Sequence, residues 1–201
     1  FTLQRTVKEG KTITQQIHLI REEVHRSDRI ITDLMGFAQL AEGSVEPLNI
    51  PEEMDQAVEQ VFPEAADFKM KIERDYAPAL PKVFMQRGHF NEIMVNILQN
   101  AREAIPENCK IKLTASAGED YSILVTIEDS GPGMSQELLD QVFEPYFTTK
   151  EKGTGLGLAI VRHNVEIYGG HLKVESQLGE GTKFILQFPA RTLIKLQRNP
   201  G

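Results

Sequence analysis

From Lys11 to Ala41 the apolar or small residues Ile13, Ile17, Ile20, Val24, Ser27, Ile31, Leu34, Ala38 and Ala41 recur at alternating steps of four and three. That spacing predicts a helix with a heptad seam. Arg21, Glu22, Glu23, Arg26, Asp28 and Arg29 fall between the seam positions and give the helix a solvated charged face. A lone helix with so narrow a seam gains little stability, so the stripe calls for a cover. A second copy of the chain is the simplest one, and packing onto the chain's own domain is the other reading.

The stretch from Glu42 to Pro51 (EGSVEPLNIP) breaks the helical period with a glycine, a serine and two prolines, and the domain division falls there. Residues 1–46 form a helical segment, with its main helix at about 12–41, and residues 47–201 a second unit. Pro51, with Glu52, Glu53 and Asp55 behind it, opens a helix to about Phe62. Phe68, Met70 and Ile72 alternate with charged residues as in a half-buried strand, and a long helix covers about Arg87 to Ile105. Ile111, Leu113 and Ala115, then Tyr121, Ile123, Val125 and Ile127, read as an antiparallel hairpin turning at Gly118-Glu119-Asp120. Helices near Gln136 to Val142 and Gly157 to Tyr168, and strands near His171 to Ser176 and Thr182 to Phe188, complete the pattern. The expected fold class is α+β, a two-layer sandwich preceded by a helical segment.

Composition narrows the functions. The 201 residues are 40% hydrophobic and 25% charged, enough for one sizeable core plus an appendage. A net charge of −7 offers no basic footprint for nucleic acid. Cys109 is the single cysteine and has no metal-ligand spacing around it, which fits a reducing, cytoplasmic setting. No apolar run approaches the roughly 20 residues of a membrane helix. The chain starts at Phe1 rather than a methionine and reads as a fragment whose parent could carry a membrane anchor or a sensor.

Three segments carry candidate chemistry. Asn96 and Asn100 lie four apart on one helix face, where carboxamide oxygens could ligate a hard cation such as Mg²⁺; exposed or capping amides would use the same residues. Asp129 ends a strand and is followed by Ser130-Gly131-Pro132-Gly133. Such a carboxylate could accept a hydrogen bond from the exocyclic amine of adenine, where guanine presents a carbonyl; an Asp-Ser-Gly-Pro turn is the bland alternative. Gly153-Thr154-Gly155-Leu156-Gly157-Leu158 opens an apolar helix, so its backbone N–H groups could cradle phosphate, with Lys150 three residues upstream. The glycines do not follow a strand of a βαβ unit, and no GxxxxGK[ST] sequence occurs, which argues against dinucleotide and P-loop folds.

Taken in order and spacing, NILQNAREA, DSGPGM, FEPYFTTK, GTGLGLAIV and GEGTKF resemble the N box, first glycine box, F box, second glycine box and last glycine box of sensor histidine kinases, members of the GHKL group of ATP-binding folds. The resemblance covers about Asn49 to Pro189. The helix from Thr12 to Leu40 resembles the second helix of the family's dimerisation and phosphoacceptor hairpin, and the short FTTKEKGTGLGL lid resembles the nitrogen-regulation type.

The resemblance implies ATP and Mg²⁺ as ligands, a homodimer through the heptad helix, and the receiver domain of a response regulator as partner. Asn100, with Asn96 nearby, would hold Mg²⁺, and Asp129 the adenine amine in a pocket shaped by Gly131 and Gly133. Phe143, Tyr146, Phe147 and Lys150 would belong to the movable lid, with Lys150 reaching the phosphates. Gly153, Gly155 and Gly157 would supply backbone donors, with Thr154, Leu156 and Leu158 in the same nucleotide-binding box, and Gly181 and Thr182 would close the nucleotide edge. The implied reaction is transfer of the γ-phosphoryl group to a histidine and on to an aspartate, with Asn96, Asn100 and Lys150 in the catalytic machinery.

The departures are specific. The family's H-E-x-x-x-P acceptor sequence is absent; His18 and His25 lie on the charged helix face, and His89, His163 and His171 read as structural or surface residues. Gln86 stands where relatives often carry aspartate, and Glu103 where some carry lysine. Clamp ATPases of the same fold place a glutamate base four residues before the metal-binding asparagine, where this chain has Asn96. A GHKL-type ATPase and a non-catalytic nucleotide-binding or dimerisation module are the rival readings.

Overall fold

A computed structural model describes residues 15–21, 24, 43–63, 71–104, 110–150 and 153–190. In chain order the globular elements are β1 (Glu46–Leu48), α1 (Ile50–Val61), β2 (Lys71–Tyr76), β3 (Val83–Met85), α2 (Arg87–Ala104), β4 (Lys110–Ala117), β5 (Ser122–Asp129), α3 (Gln136–Leu139), α4 (Gly157–Glu166), β6 (His171–Gln177) and β7 (Gly181–Pro189). Five strands form one sheet in the order β2-β4-β5-β7-β6, antiparallel except for β2 beside β4. The expected α+β sandwich is the observed architecture: one face of this sheet carries the helices.

Strand alternation builds the covered face. The register aligns Leu113, Ile127, Phe184 and Val174 in one row across the sheet and Ala115, Val125, Leu186 and Leu172 in the next. Onto these rows α2 places Phe90, Ile93, Met94, Ile97, Leu98 and Ala101, all buried and spaced at three and four. Each of the larger ones, from Phe90 to Leu98, contributes about 1.5–3 kcal/mol when fully buried. α2 packs against both α1 and α4, and the Phe90 and Phe188 rings meet with centroids 6.0 Å apart. The opposite face is solvated, and one of its rows alternates in charge: Glu73, Lys112, Glu128, Lys183, Glu175.

Pro51 stands in the first turn of α1, and the helix ends at Val61, as its sequence signals predict. Glu53 interrupts the buried stripe of α1, and Arg87 on α2 bonds both it and Glu46 on β1. One guanidinium thereby ties three elements together. The sequence reading passed over β1 and β3, which pair antiparallel from Glu46 opposite Met85 to Leu48 opposite Val83. Each has three residues, too few for a period to register, and β1 contains Pro47. The globular unit therefore takes in Glu46, the last residue of the expected helical segment.

Other boundaries shift for local reasons. Tyr121, expected in a strand, occupies the hairpin turn with Asp120, both at positive φ, and its side chain is exposed. That pair of left-handed residues matches the strand twist. The helix expected to Val142 stops at Leu139, and the one expected to Tyr168 stops at Glu166. β2 contains Ile72, whereas Phe68, Met70 and Cys109 lie outside the described residues, as does most of the heptad helix. Its residues 15–21 and 24 are helical, with the seam residues Ile17, Ile20 and Val24 exposed. Among the described residues no helix is long and apolar enough to cross a membrane.

Candidate functional site

The apolar covered face of the sheet turns polar at one end. The row after Leu113, Ile127, Phe184 and Val174 consists of Ile111, Asp129, Thr182 and Ser176. Alternation carries Asp129 inward, two positions beyond Ile127, so a carboxylate occupies what would be the last core position of β5. It is 8% exposed, and one of its oxygens accepts the Gly131 N–H at 2.8 Å. Burial pushes its pKa above the usual aspartate range, opposed by the N–H groups of Gly131 and Thr182. Ser176 knits the edge together: its hydroxyl accepts the Met134 N–H at 2.8 Å and donates to the Gly181 carbonyl at 2.7 Å.

Beside this row lies a cavity of about 460 Å³, within the range of small-molecule sites. Its floor is the polar end of the sheet, including Asp129, Thr182 and Phe184, with Gly133 and Met134 at the rim. One wall is α2, presenting Asn96, Asn100 and Glu103. The remaining wall is the segment from Phe147 to Lys150 with Gly153, Thr154, Gly155, Gly157 and Leu158. The first turn of α4 has no side-chain cap, so its backbone N–H groups are available at the cavity edge.

The remaining sequence-predicted residues stand behind this lining. Gly131 is buried under Asp129, Leu156 is buried, and Phe143 packs against the core. Tyr146 is 68% exposed at φ +67°, and its N–H donates to the Gly155 carbonyl at 2.9 Å, closing the segment on itself. Gly133 adopts φ +67°, and a Cβ there would overlap the Gln177 carbonyl.

The two asparagines face different tasks. Asn96 Nδ2 donates to the Glu92 carbonyl at 2.9 Å, and its oxygen is turned toward Gly157. Asn100 Oδ1 instead receives the Lys150 ammonium at 2.9 Å, and Lys150 also pairs with Glu103 Oε2 at 2.6 Å. Among the described residues no group of three His, Cys, Asp or Glu side chains could hold a metal. A cation here would take its protein ligand from the carboxamide oxygen of Asn100, and that oxygen already engages a cationic group. This suits Mg²⁺, which is ordinarily held by one or two side chains together with phosphate oxygens and water.

None of His18, His89, His163 and His171 lines the cavity, and His25 lies outside the described residues. His89 Nδ1 instead meets the Tyr168 hydroxyl at 2.8 Å, and burial holds its pKa below the usual histidine value. Sequence reasoning missed Ser176 and saw Glu103 only as a departure. Their importance comes from partners far along the chain.

Residues 85–192, more than half of the chain, match the model of the histidine kinase-, DNA gyrase B- and HSP90-like ATPase family. The chain belongs to that family. Within it, this ATPase-family chain is 29% identical over 182 residues to sporulation kinase E of Bacillus subtilis (strain 168), covering 90% of this chain and 25% of that protein. The crystal structure of full-length ShkA in complex with AMPPNP is similar with a TM-score of 0.77 and 28% identity, over 89% of this chain and 39% of that one. The histidine kinase ThkA in complex with the response regulator protein TrrA is similar with a TM-score of 0.76 and 25% identity, over 94% of this chain and 56% of that one. This ATPase-family chain thus spans a quarter of the curated relative's length and less than two thirds of either solved chain.

Proposed function

We propose that the cavity binds ATP with Mg²⁺ and that the chain is the catalytic portion of a two-component sensor histidine kinase. In the intact protein the γ-phosphoryl group would pass to a histidine and then to an aspartate of a response-regulator receiver domain. The observation that carries this reading is the convergence of the buried Asp129 carboxylate, the Asn100 carboxamide oxygen and the Lys150 ammonium on one cavity. The similarity to ShkA, solved with AMPPNP, and to ThkA, solved with its response regulator, supports the nucleotide and the partner.

In this reading Asp129 accepts the adenine amine and selects against guanine, whose carbonyl would face the carboxylate unpaired. Asn100 contributes a metal ligand, and Mg²⁺, when bound, neutralises charge on the phosphates. Lys150 and the open N–H groups of the first turn of α4 stabilise the negative charge that spreads over the transferring group. Asn96 orients the wall by its bond to Glu92 and its contact with Gly157. As a carboxamide it cannot take a proton from water, so transfer to a positioned acceptor is favoured over the steady hydrolysis of a clamp ATPase.

A division close to Glu46, between a dimerising segment before it and a nucleotide-binding unit that begins with β1, belongs to the same proposal, as does a cytoplasmic site of action. The exposure of Ile17 and Val24, 50% and 52%, supports a homodimer through the seam. The test is to incubate the chain with γ-labelled ATP, Mg²⁺ and a separately supplied helical hairpin bearing an acceptor histidine. An acid-labile, alkali-stable label on the hairpin is expected. Release of labelled phosphate with no label on histidine would turn the reading toward an ATPase.

A further inference from the structure

Lys150 and Asn100 are 50 residues apart in sequence, yet the Lys150 ammonium sits on the Asn100 carboxamide oxygen at 2.9 Å. Glu103, one turn further along α2, holds the same ammonium through Oε2 at 2.6 Å. Both α2 side chains face the cavity, and Lys150 reaches them from the opposite wall. The segment carrying Lys150 is itself braced, since the Lys150 N–H donates to the Thr148 hydroxyl at 3.1 Å and the Lys150 carbonyl accepts the Gly153 N–H at 3.1 Å. The Lys150 side chain is thus a tie between this wall and α2.

Two cations cannot share the Asn100 oxygen comfortably. Mg²⁺ sits about 2.1 Å from an oxygen ligand. An ammonium on that same oxygen would then lie within about 5 Å of a divalent ion, and the two like charges repel. Glu103 decides the resting occupant, because its carboxylate gives the ammonium a counter-charge beside Asn100.

We propose that Glu103 is a positioning residue that parks Lys150 on the metal-ligand oxygen of Asn100, so that Mg-nucleotide enters by exchanging a lysine for a metal. This rests on the Mg-ATP reading above. The exchange couples three events: the metal takes the Asn100 oxygen, the lysine is released toward the phosphates, and the wall residues from Phe147 to Lys150 and from Gly153 to Gly157 lose their tie to α2. Glu103 sets how firmly that resting position competes with ligand. Its side chain is 43% exposed and that of Lys150 38% exposed, so solvent screens the pair and the competition is modest.

The test is a double-mutant cycle on the chain, with Glu103→Gln, Lys150→Met and the pair combined. Calorimetric titration of AMPPNP with excess Mg²⁺ gives affinity, and hydrogen exchange in the nucleotide-free protein reports on the amides of Phe147 to Lys150 and Gly153 to Gly157. Glu103→Gln should tighten AMPPNP binding about two- to fivefold and speed exchange of those amides. In the Lys150→Met background it should change neither. A gain of the same size without Lys150 would assign the effect to simple repulsion of the triphosphate and overturn the proposal, as would weaker binding in Glu103→Gln or unchanged lid exchange. Absence of saturable binding in the unmodified chain would overturn the Mg-ATP reading instead, while the exchange arm would still decide whether Glu103 holds Lys150.

Discussion

Asn96 and Gly157 meet where α2 crosses the first turn of α4: a Cβ on Gly157 would stand 2.6 Å from Asn96 Oδ1. The carboxamide cannot swing aside freely, because its Nδ2 is bonded to the Glu92 carbonyl at 2.9 Å. Glu92 in turn accepts the Asn164 Nδ2 at 2.9 Å, so both ends of this contact are tied to the α2–α4 interface. In an unconstrained helix, glycine to alanine gains up to about 1 kcal/mol. Here the sign inverts. Gly157→Ala should destabilise the chain by about 1–2 kcal/mol, the order expected of overpacking, and should weaken nucleotide binding. Urea unfolding measures the first effect, and a stabilised variant would contradict the contact.

Asp129 separates binding from stability. Burial raises its pKa above the ordinary 3.8, so the fold holds the proton more readily than the unfolded chain does. The sign follows: native stability falls as pH rises from the unfolded value through the raised one, and the deficit persists at neutral pH. Asp129→Asn removes the ionisation while keeping an oxygen for the Gly131 N–H. The variant should be at least as stable as the parent at pH 7, with the difference narrowing below about pH 4. Denaturation midpoints between pH 3 and pH 8 test this, and a variant less stable at pH 7 would contradict the burial argument.

Gly133 is fixed by a neighbour's backbone. Its φ of +67° and the overlap of any Cβ with the Gln177 carbonyl leave no rotamer to adjust. Gly133→Ala should cost about 1–3 kcal/mol for the left-handed conformation and more for the overlap. Thermal unfolding should show a clear fall in Tm. An unchanged Tm would mean that the loop between β5 and α3 can rearrange freely.

Asn100 carries the metal assignment. Asn100→Ala should abolish the difference in AMPPNP affinity between Mg²⁺ and EDTA while leaving residual metal-free binding through Asp129. Calorimetry under the two conditions reads this directly. A Mg²⁺ dependence that survives intact would place the metal elsewhere.

What the sequence revealed of this site depended on the range of the interaction. Asp129 stood out in the sequence because it ends a strand and runs directly into Ser130-Gly131-Pro132-Gly133, and Asn96 and Asn100 because helical spacing aligns them. The glycines announced themselves through turns that few other residues can make. Glu103 and Ser176 were not legible as site residues. Locally, one is a charged residue on a helix and the other a serine on a strand; their partners Lys150 and Met134 lie 47 and 42 residues away. The same limit hid β1 and β3, whose pairing is decided by the Leu48, Val83 and Met85 core contacts rather than by any pattern within three residues. Tyr121 looked like the first residue of a strand until the turn required two consecutive left-handed residues.

The most direct test of the nucleotide site is a calorimetric titration of AMPPNP with Mg²⁺, run on the parent chain and on Asp129→Asn, with GMPPNP as the comparison. Saturable binding that prefers adenine over guanine by about tenfold or more, and that is lost in the variant, is expected. Equal affinity for the two nucleotides, or binding that survives Asp129→Asn unchanged, would contradict it.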